Sequence, residues 1–215
     1  MLNRLTLKQT LIETIAEQQQ QQKIAASAPV TDNKIATSAI QEIEALITDL
    51  EQQTLFPRPL LYSPNLLQGT WKLLYSSARE IRMLTRLPLG FQVGGVYQVI
   101  DVPSATFFNQ AFCYHALGIL AGYVKVTAEF KLAPSEGDGQ PDQRVDVFFQ
   151  KRFLFLEQAF SLNLPFQQPL QAFDARNPPG RQPFLKITYL DEDFRVGRGG
   201  EGSLFILSRV QEMTR

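Results

Sequence analysis

The chain has very few of the residues on which nucleophilic, acid–base and metal-dependent sites rely. Among its 215 residues there is one cysteine, Cys113, and one histidine, His115. A lone cysteine cannot form a disulfide within the chain, so cysteine usage does not indicate a compartment. With one histidine, the chain has few side chains suited to acid–base chemistry near neutral pH. No set of side chains has the spacing of a metal site. We therefore predict a non-enzymatic protein with no catalytic residues, metal or cofactor.

The chain also lacks an excess of charge and any long apolar run. Its 21 basic and 21 acidic residues give a formal net charge of +0, which is not the pattern of a nucleic-acid-binding protein. No stretch approaches the roughly 20 apolar residues that cross a bilayer. Residues 1–17 include Glu13 and Glu17, unlike a secretory signal or a transit peptide. We expect a cytoplasmic or peripherally membrane-bound protein that contacts membranes only through its surface.

Two amphipathic segments occupy the amino-terminal part of the sequence. Residues 2–26 repeat apolar side chains at helical spacing. Residues 33–52 form a second predicted helix, with Thr31 or Asp32 as its cap. Three prolines between residues 57 and 64 then mark an extended connector, because proline cannot continue a helix interior.

Beyond this connector the apolar period changes from that of a helix to that of a strand. Residues 122–132 alternate apolar with polar side chains, as a half-buried strand does. Further predicted strands cover residues 70–76, 95–102, 105–113, 145–150, 152–159, 184–190 and 203–209. About eight short strands favour a barrel or a sandwich, and a closed barrel leaves no exposed edge. We expect a mainly β fold, an antiparallel barrel over residues 65–215, preceded by two helices and a connector over residues 1–64.

The chain's single tryptophan follows a glycine at the start of the first predicted strand. In this Gly69-x-Trp71 step, the glycine permits close backbone approach and the indole is placed to plug one end of the barrel. Arg209, near the end of the last predicted strand, is expected to stack on Trp71 as a cation–π partner. We predict that these three residues close the barrel.

A charged, glycine-rich segment lies before the last predicted strand. Residues 197–202 match the spelling G-x-G-x-x-G, but a short β-type segment follows instead of the helix that a dinucleotide site requires. We interpret these residues as a hairpin turn. We interpret Asp191 and Asp193 as members of an ion-paired turn with Arg195 and Arg198, in preference to a metal site or a catalytic carboxylate pair.

Three shorter features complete the set of candidates. Cys113 and His115 can share a strand face, but no orienting motif accompanies them, and we interpret them as structural. The apolar residues 83–91 are flanked by arginines and look like an element that lies at a membrane interface. The apolar residues 116–121 are expected to belong to the core.

Three segments resemble the plastid lipid-associated protein family, whose members are also called plastoglobulins or fibrillins. They are residues 66–77 (LLQGTWKLLYSS), 95–101 (GVYQVID) and, most specifically, 188–207 (TYLDEDFRVGRGGEGSLFIL). The chain departs from the family in residues 52–57 (QQTLFP), where members often have an Asn-Pro step after the second helix. It also lacks a recognisable plastid address, as expected of a cyanobacterial-type member.

The resemblance implies a lipocalin-like barrel that associates with thylakoid membranes or lipid globules. Members are thought to bind or carry prenylquinones, carotenoids or fatty acids and to support photoprotection. Some are partners of a prenyl diphosphate synthase in plastoquinone synthesis. By motif, the family's conserved aspartate corresponds to Asp191 or Asp193, and its arginines correspond to Arg195 and Arg198. We assign these residues a role in structure or in ligand entry.

These observations lead to three functional expectations. The first is binding or transport of a small hydrophobic molecule in a cavity lined from alternating strands. The candidate lining residues are Trp71, Tyr75, Val126, Phe130, Phe149 and Leu185. The second is a partner or activator of an isoprenoid synthase whose barrel is filled by its own side chains, so that cavity volume distinguishes the two. The third is a bilin lyase, since cyanobacterial lyases share lipocalin-like folds.

Overall fold

The computed structural model describes residues 3–135, 137–160, 162–164, 168–175 and 182–214. Helix α1, Arg4–Gln21, starts where the Asn3 side chain accepts a hydrogen bond from the Thr6 backbone N–H at 2.9 Å. Helix α2, Thr37–Gln52, starts later than predicted, because residues 32–34 form a separate 3-10 turn. Its cap is Ala36, so the prediction of Thr31 or Asp32 is wrong.

Two short helices and the strands follow. The helices are α3, Pro59–Tyr62, and α4, Arg79–Leu84. The strands of the described residues are β1 Val30–Thr31, β2 Gly69–Ser76, β3 Phe91–Asp101, β4 Thr106–His115, β5 Leu120–Pro134, β6 Pro141–Ala159, β7 Leu162–Asn163, β8 Gln171–Asp174, β9 Phe184–Leu190, β10 Phe194–Gly199 and β11 Leu204–Val210.

Eight of these strands form a ring in the order β2, β11, β10, β9, β6, β5, β4, β3. Each neighbouring pair in the ring is antiparallel. The ring closes between β2 and β3, where Gly69 pairs with Ile100 and Lys72 pairs with Tyr97. The predicted fold is therefore confirmed: a closed antiparallel barrel of eight strands, preceded by helices.

Two details of the strand prediction are wrong. Predicted strands 145–150 and 152–159 are one strand, β6, whose register against β5 shifts between Thr127 and Ala128. This bulge interrupts the alternation of side chains on β6, so the sequence looks like two strands. The second error is β10, which lies in the segment interpreted as a charged turn.

The barrel wall is packed on both of its faces. Inside lies an apolar cluster, the inner core, to which Trp71, Leu73 and Ile187 belong. On the outside, α1 and α2 cover one part of the wall and form the outer core with it. The outer core consists of Leu7, Leu11, Ile15, Val30, Ile43, Ile47, Leu50, Tyr75, Tyr189, Phe194, Val196, Leu204 and Ile206. Burial of each such side chain contributes roughly 1.5–3 kcal/mol, so this interface fixes the helices to the barrel.

A register shift in β2 moves the side chains beyond it to the opposite face of the barrel wall. Ile206 pairs with Tyr75, whereas its neighbour Leu207 pairs with Leu73, so Leu74 is an additional residue on β2. As a result Leu73 belongs to the inner core and Tyr75 to the outer core. The prediction that Tyr75 lines the barrel interior is wrong for this reason. β9 has a similar shift against β10.

Candidate functional site

A polar layer crosses the interior of the barrel beside the tryptophan. Trp71 is fully buried, and its Nε1–H donates to the carbonyl oxygen of Leu67 at 2.8 Å. The guanidinium of Arg195 lies 4.9 Å from the Trp71 ring centroid. Arg195 Nη2 donates to Gln98 Oε1 at 2.5 Å, and Gln98 Nε2 donates to Asn109 Oδ1 at 3.0 Å. Among the described residues, this layer therefore places one buried cation and two amides next to the apolar inner core.

Arg195 is the most unusual residue of this layer. It is only 1% exposed, and none of the described carboxylates lies within 4.0 Å of it. Its Nε–H is buried and has no hydrogen-bond partner in the part of the chain that the structure describes. Desolvation, followed by repulsion from Arg209, lowers the pKa of Arg195 to about 9. The guanidinium is still charged at neutral pH, so the interior carries an unneutralised positive charge.

A small cavity adjoins this layer, and a larger pocket shares two of its lining residues. The inner cavity, of about 40 Å³, is lined by Leu67, Gln98, Ile100, Phe107, Phe130, Val145, Val147, Leu185, Ile187 and Arg195. A larger end pocket, of about 320 Å³, is lined by Pro64, Leu67, Val102, Ala105, Phe130, Lys131 and Leu132. Leu67 and Phe130 line both spaces, so these two side chains lie between the inner cavity and the end pocket.

The predicted lining residues are only partly brought together. Phe130 and Leu185 line the inner cavity, and Phe149 packs against the inner core. Trp71 fills the interior as part of that core. Val126 is half-buried and lies outside the buried cluster. Most of the interior is filled by side chains, since a cavity of about 40 Å³ is far smaller than the roughly 300–1,000 Å³ of a typical ligand site.

Arg209 and Trp71 meet at the end of the barrel where the end pocket lies. The Arg209 guanidinium stacks 4.3 Å from the Trp71 ring centroid, so the predicted cation–π contact is present. The same guanidinium donates to the carbonyl oxygens of Leu66, Gln68 and Glu192. Gly69, at φ +116°, lies beneath it, and a Cβ there would come within 2.8 Å of Arg209 Nη1. Their closing function stays a prediction.

The acidic turn is neutralised by helix α1 and not by its own arginines. Asp191 Oδ2 accepts hydrogen bonds from the Tyr189 hydroxyl at 2.7 Å and from Lys8 Nζ at 3.1 Å. Its Oδ1 accepts the Phe194 backbone N–H at 2.8 Å, and Lys8 Nζ also reaches Asp193 Oδ1 at 2.5 Å. Burial alone would raise the pKa of Asp191. The side-chain contact with Asp193 and the hydrogen bonds from Tyr189, Lys8 and the Asp193 backbone N–H outweigh it and hold the pKa below its usual value.

The two arginines of the predicted ion-paired turn lie on opposite faces of β10. Arg195 points into the barrel, as described above. Arg198 points outward to α2, where its Nε is 2.9 Å from Glu51 Oε1 and its Nη2 is 3.2 Å from Glu44 Oε2. The prediction that these arginines neutralise Asp191 and Asp193 is therefore wrong, because strand alternation directs one inward and the other to a helix.

The glycine-rich segment is partly strand. Gly197 and Gly199 belong to β10, and only the residues that follow turn toward β11. A Cβ on Gly197 would lie 3.1 Å from the side chain of Leu185, so glycine makes room there for a lining residue of the inner cavity. A strand follows the segment, as the hairpin interpretation requires, where a dinucleotide site needs a helix.

An exposed apolar surface lies where the start of β3, the end of β4, the start of β5 and the end of β6 meet. Leu89, Leu117, Phe160 and Leu162 are 85%, 79%, 75% and 70% exposed, and we call them the apolar rim. Backbone hydrogen bonds hold their segments side by side. Ala116 N–H donates to Gly90 O at 2.9 Å, and Phe160 N–H donates to Ile119 O at 2.7 Å.

The rim bears on two of the sequence predictions. The expectation that residues 116–121 belong to the core is wrong at the hairpin tip, where a tight turn leaves Leu117 in solvent. Leu89 lies in the stretch 83–91, for which we expected an interface with a membrane, and exposed Arg86 precedes it. That expectation stays a prediction.

Cys113 and His115 each have a partner of their own. The Cys113 thiol is 3.8 Å from the Ala111 carbonyl oxygen, and burial raises its pKa to about 11, which suppresses the nucleophilic thiolate. His115 Nδ1 accepts the Leu117 backbone N–H at 3.2 Å, and its ring packs edge-on against Phe91. These contacts are structural.

Arg195, Gln98 and Asn109 were not identified as a group from the sequence. The available signal is the alternation of residues 194–198, which puts Arg195 on the face opposite Phe194 and Val196. Within the described ranges, no helix is both long and apolar enough to span a membrane. The described residues also contain no cluster of three or more acidic, cysteine or histidine side chains that would suit a metal ion.

The sequence is similar to proteins of one family. The PAP_fibrillin family model matches residues 5–208. The chain is 31% identical over 195 residues to a probable plastid-lipid-associated protein 3, chloroplastic, of Oryza sativa subsp. japonica, a match that covers 77% of this chain and 51% of the rice protein. It is 27% identical over 195 residues to plastoglobulin-1, chloroplastic, of Pisum sativum, covering 78% and 54%. The chain thus spans about half the length of the curated relatives it matches.

Proposed function

The chain belongs to the PAP_fibrillin family, and on that premise we propose that it attaches to a lipid surface and binds a small hydrophobic molecule. The relatives' names, plastid-lipid-associated protein and plastoglobulin, support an association with lipid. We propose a thylakoid membrane or a lipid globule as that surface. The bound molecule would be a prenylquinone, a carotenoid, a fatty acid or a related lipid. The protein would act without catalysis and would support photoprotection.

The apolar rim is the observation that carries this proposal. Four large apolar side chains from three neighbouring segments are exposed together, and water is an unfavourable environment for such a patch. Insertion into lipid removes roughly 1.5–3 kcal/mol of unfavourable hydration for each side chain that becomes buried. Arg86, exposed beside Leu89, is placed to meet anionic headgroups. The combination suits a protein that lies on a lipid surface.

The end pocket supports the second part of the proposal. Its volume of about 320 Å³ and its mainly apolar lining suit part of a hydrophobic molecule. The inner cavity is too small to enclose a whole lipid, so the remainder of such a ligand would lie outside the barrel. From the sequence we expected instead a cavity lined from alternating strands that takes up the molecule.

A second candidate function is a partner or activator of an isoprenoid synthase. The filled interior favours it, because a barrel that serves as a binding surface for another protein needs no internal space. The two functions differ in whether the purified chain by itself binds lipid.

Flotation of the purified chain with galactolipid vesicles, with and without anionic phosphatidylglycerol, tests the proposal. We expect the native chain to float with both kinds of vesicle, and better with the anionic one. The double variant Leu117→Ser and Phe160→Ser should lose most of this binding, whereas Leu5→Ser, an exposed leucine on α1, should keep it.

Two outcomes count against the lipid-surface proposal. If the native chain stays unbound, or if the double variant floats as well as the native chain, the rim is not a lipid-contact surface. A chain that neither floats nor retains added plastoquinone would direct attention to the partner function. Capture of a purified prenyl diphosphate synthase would then be the next experiment.

A further inference from the structure

Arg195 is fully buried and has a hydrogen-bond donor that is suited to an anion and that the described residues leave without a partner. Among the described residues its Nε–H has no hydrogen-bond partner, and the charged group that acts on it is another cation, Arg209. A buried charge without a counterion is costly, and in a low-dielectric interior its attraction for an anion is strong. Arginine also forms charge-assisted hydrogen bonds to carboxylates that are shorter and stronger than neutral ones. The interior therefore has a place for a carboxylate that the described residues do not supply.

Arg195 is one of the residues that line the inner cavity. Apart from Arg195 and Gln98, its lining is apolar. Its volume of about 40 Å³ is close to that of one small polar group, since a water molecule in the liquid occupies about 30 Å³. Beyond Leu67 and Phe130 the end pocket has mainly apolar walls, with Lys131 as the charged residue among those that line it. The path thus has a buried guanidinium at its inner end and is mainly apolar at its outer end.

We infer that Arg195 anchors the carboxylate of a long-chain fatty acid, whose hydrocarbon chain runs past Leu67 and Phe130 into the end pocket. The inference rests on the proposed function in so far as the barrel binds a hydrophobic molecule, and it names the class of that molecule. A neutral lipid alcohol has the same chain but leaves the buried positive charge unneutralised. The site therefore selects the acid over the alcohol.

Trp71 provides a direct reporter for this site. It is the only tryptophan of the chain, and the Arg195 guanidinium lies 4.9 Å from its ring. An anion that binds Arg195 changes the electrostatic field at the indole. The change in intrinsic fluorescence therefore reports occupation of the site without a label.

The test is titration of the full chain with oleate and with oleyl alcohol, followed by Trp71 fluorescence. We expect oleate to bind the native chain about 10- to 100-fold more tightly than the alcohol, the range expected for hydrogen bonds to a charged group. Arg195→Gln should remove this difference while its affinity for oleyl alcohol changes by less than about threefold. Arg198→Gln is the matched control, because it removes an arginine from the outer face of the same strand and should retain the preference.

The outcomes separate this inference from the proposed function. Equal affinity of the native chain for oleate and oleyl alcohol would overturn the inference and leave binding of hydrophobic molecules intact; that comparison needs no variant. Loss of plastoquinone affinity in Arg195→Gln, with oleate affinity unchanged, would also overturn it in favour of a carbonyl anchor. Failure of the native chain to bind either lipid would overturn both the inference and the ligand-binding part of the proposed function.

Discussion

The two arginines of β10 lie three residues apart and have opposite surroundings. Arg198, on the outer face of the wall, is paired with two carboxylates of α2. Arg195, on the inner face, is more deeply buried and has an amide as its hydrogen-bond partner and an indole beside it. Among the described residues, the arginine on the helix-covered face is therefore neutralised, whereas the arginine in the interior is not. The contacts of the outer core thus stabilise the fold, and the interior contains a buried donor, Arg195 Nε–H, that those residues leave without a partner.

Removal of volume from the outer core should have the largest effect on stability. Leu11, on α1, is fully buried in the outer core. We expect Leu11→Ala to lower the free energy of unfolding by about 2–5 kcal/mol, because a cavity remains where the side chain was. Urea denaturation followed by circular dichroism measures this. Leu5→Ala, an exposed leucine on the same helix, should change stability by less than about 0.5 kcal/mol, and equal losses would contradict the importance of the outer core.

Arg209 also faces the interior, but its guanidinium, unlike that of Arg195, has several hydrogen-bond acceptors. Arg209→Ala removes the stacking on Trp71 and leaves three carbonyl oxygens without their donor. We expect a loss of about 1–3 kcal/mol in the free energy of unfolding. Arg209→Lys keeps the charge without the planar fork and should give an intermediate loss. An Arg209→Ala chain as stable as the native one would show that this closure contributes nothing.

Asp191 links the outer core to the acidic turn, and its contribution should depend on pH. Its pKa in the folded chain lies below the unfolded value, so the stability it contributes is present above about pH 4 and is lost as the pH falls through the folded pKa. At neutral pH we expect Asp191→Asn to cost about 1–2 kcal/mol.

Urea denaturation of both chains at pH 7 and near pH 3 measures this effect. The difference in stability between native and Asp191→Asn chains should narrow on acidification. The exposed Asp193→Asn is the control and should cost less at neutral pH. A difference that stays constant with pH would show that the Asp191 charge has no part in the link.

The alternation of apolar and polar residues was enough to predict most of the barrel from the sequence. Both long helices and the majority of strands follow directly from their periodicity. β10 does not, because Arg195 and two glycines interrupt the apolar pattern that strands usually have. The bulge at Leu74 shows why individual lining residues were harder to predict, since one additional residue moves Tyr75 to the other face.

The partners of the acidic turn could not be predicted from the sequence for a different reason. Lys8 and Asp191 are 183 residues apart, and nothing local indicates that α1 packs beside the turn. The nearest arginines in sequence were therefore the natural choice, and strand alternation directs both of them elsewhere. The contact among Gly69, Trp71 and Arg209 could be predicted, because all three residues lie at the ends of strands that pair directly.

The most direct test is the stability of a chain in which Arg195 is replaced by methionine. If the buried arginine serves a ligand, its replacement by an apolar side chain of similar length should leave the free energy of unfolding within about 1 kcal/mol of the native value, or raise it. Urea denaturation without added lipid, compared with the same measurement in the presence of oleate, shows both effects. We expect oleate to stabilise the native chain and not the Arg195→Met chain. A loss of more than about 2 kcal/mol without lipid, in the range of a core defect, together with undiminished stabilisation by oleate, would show that Arg195 is a structural residue.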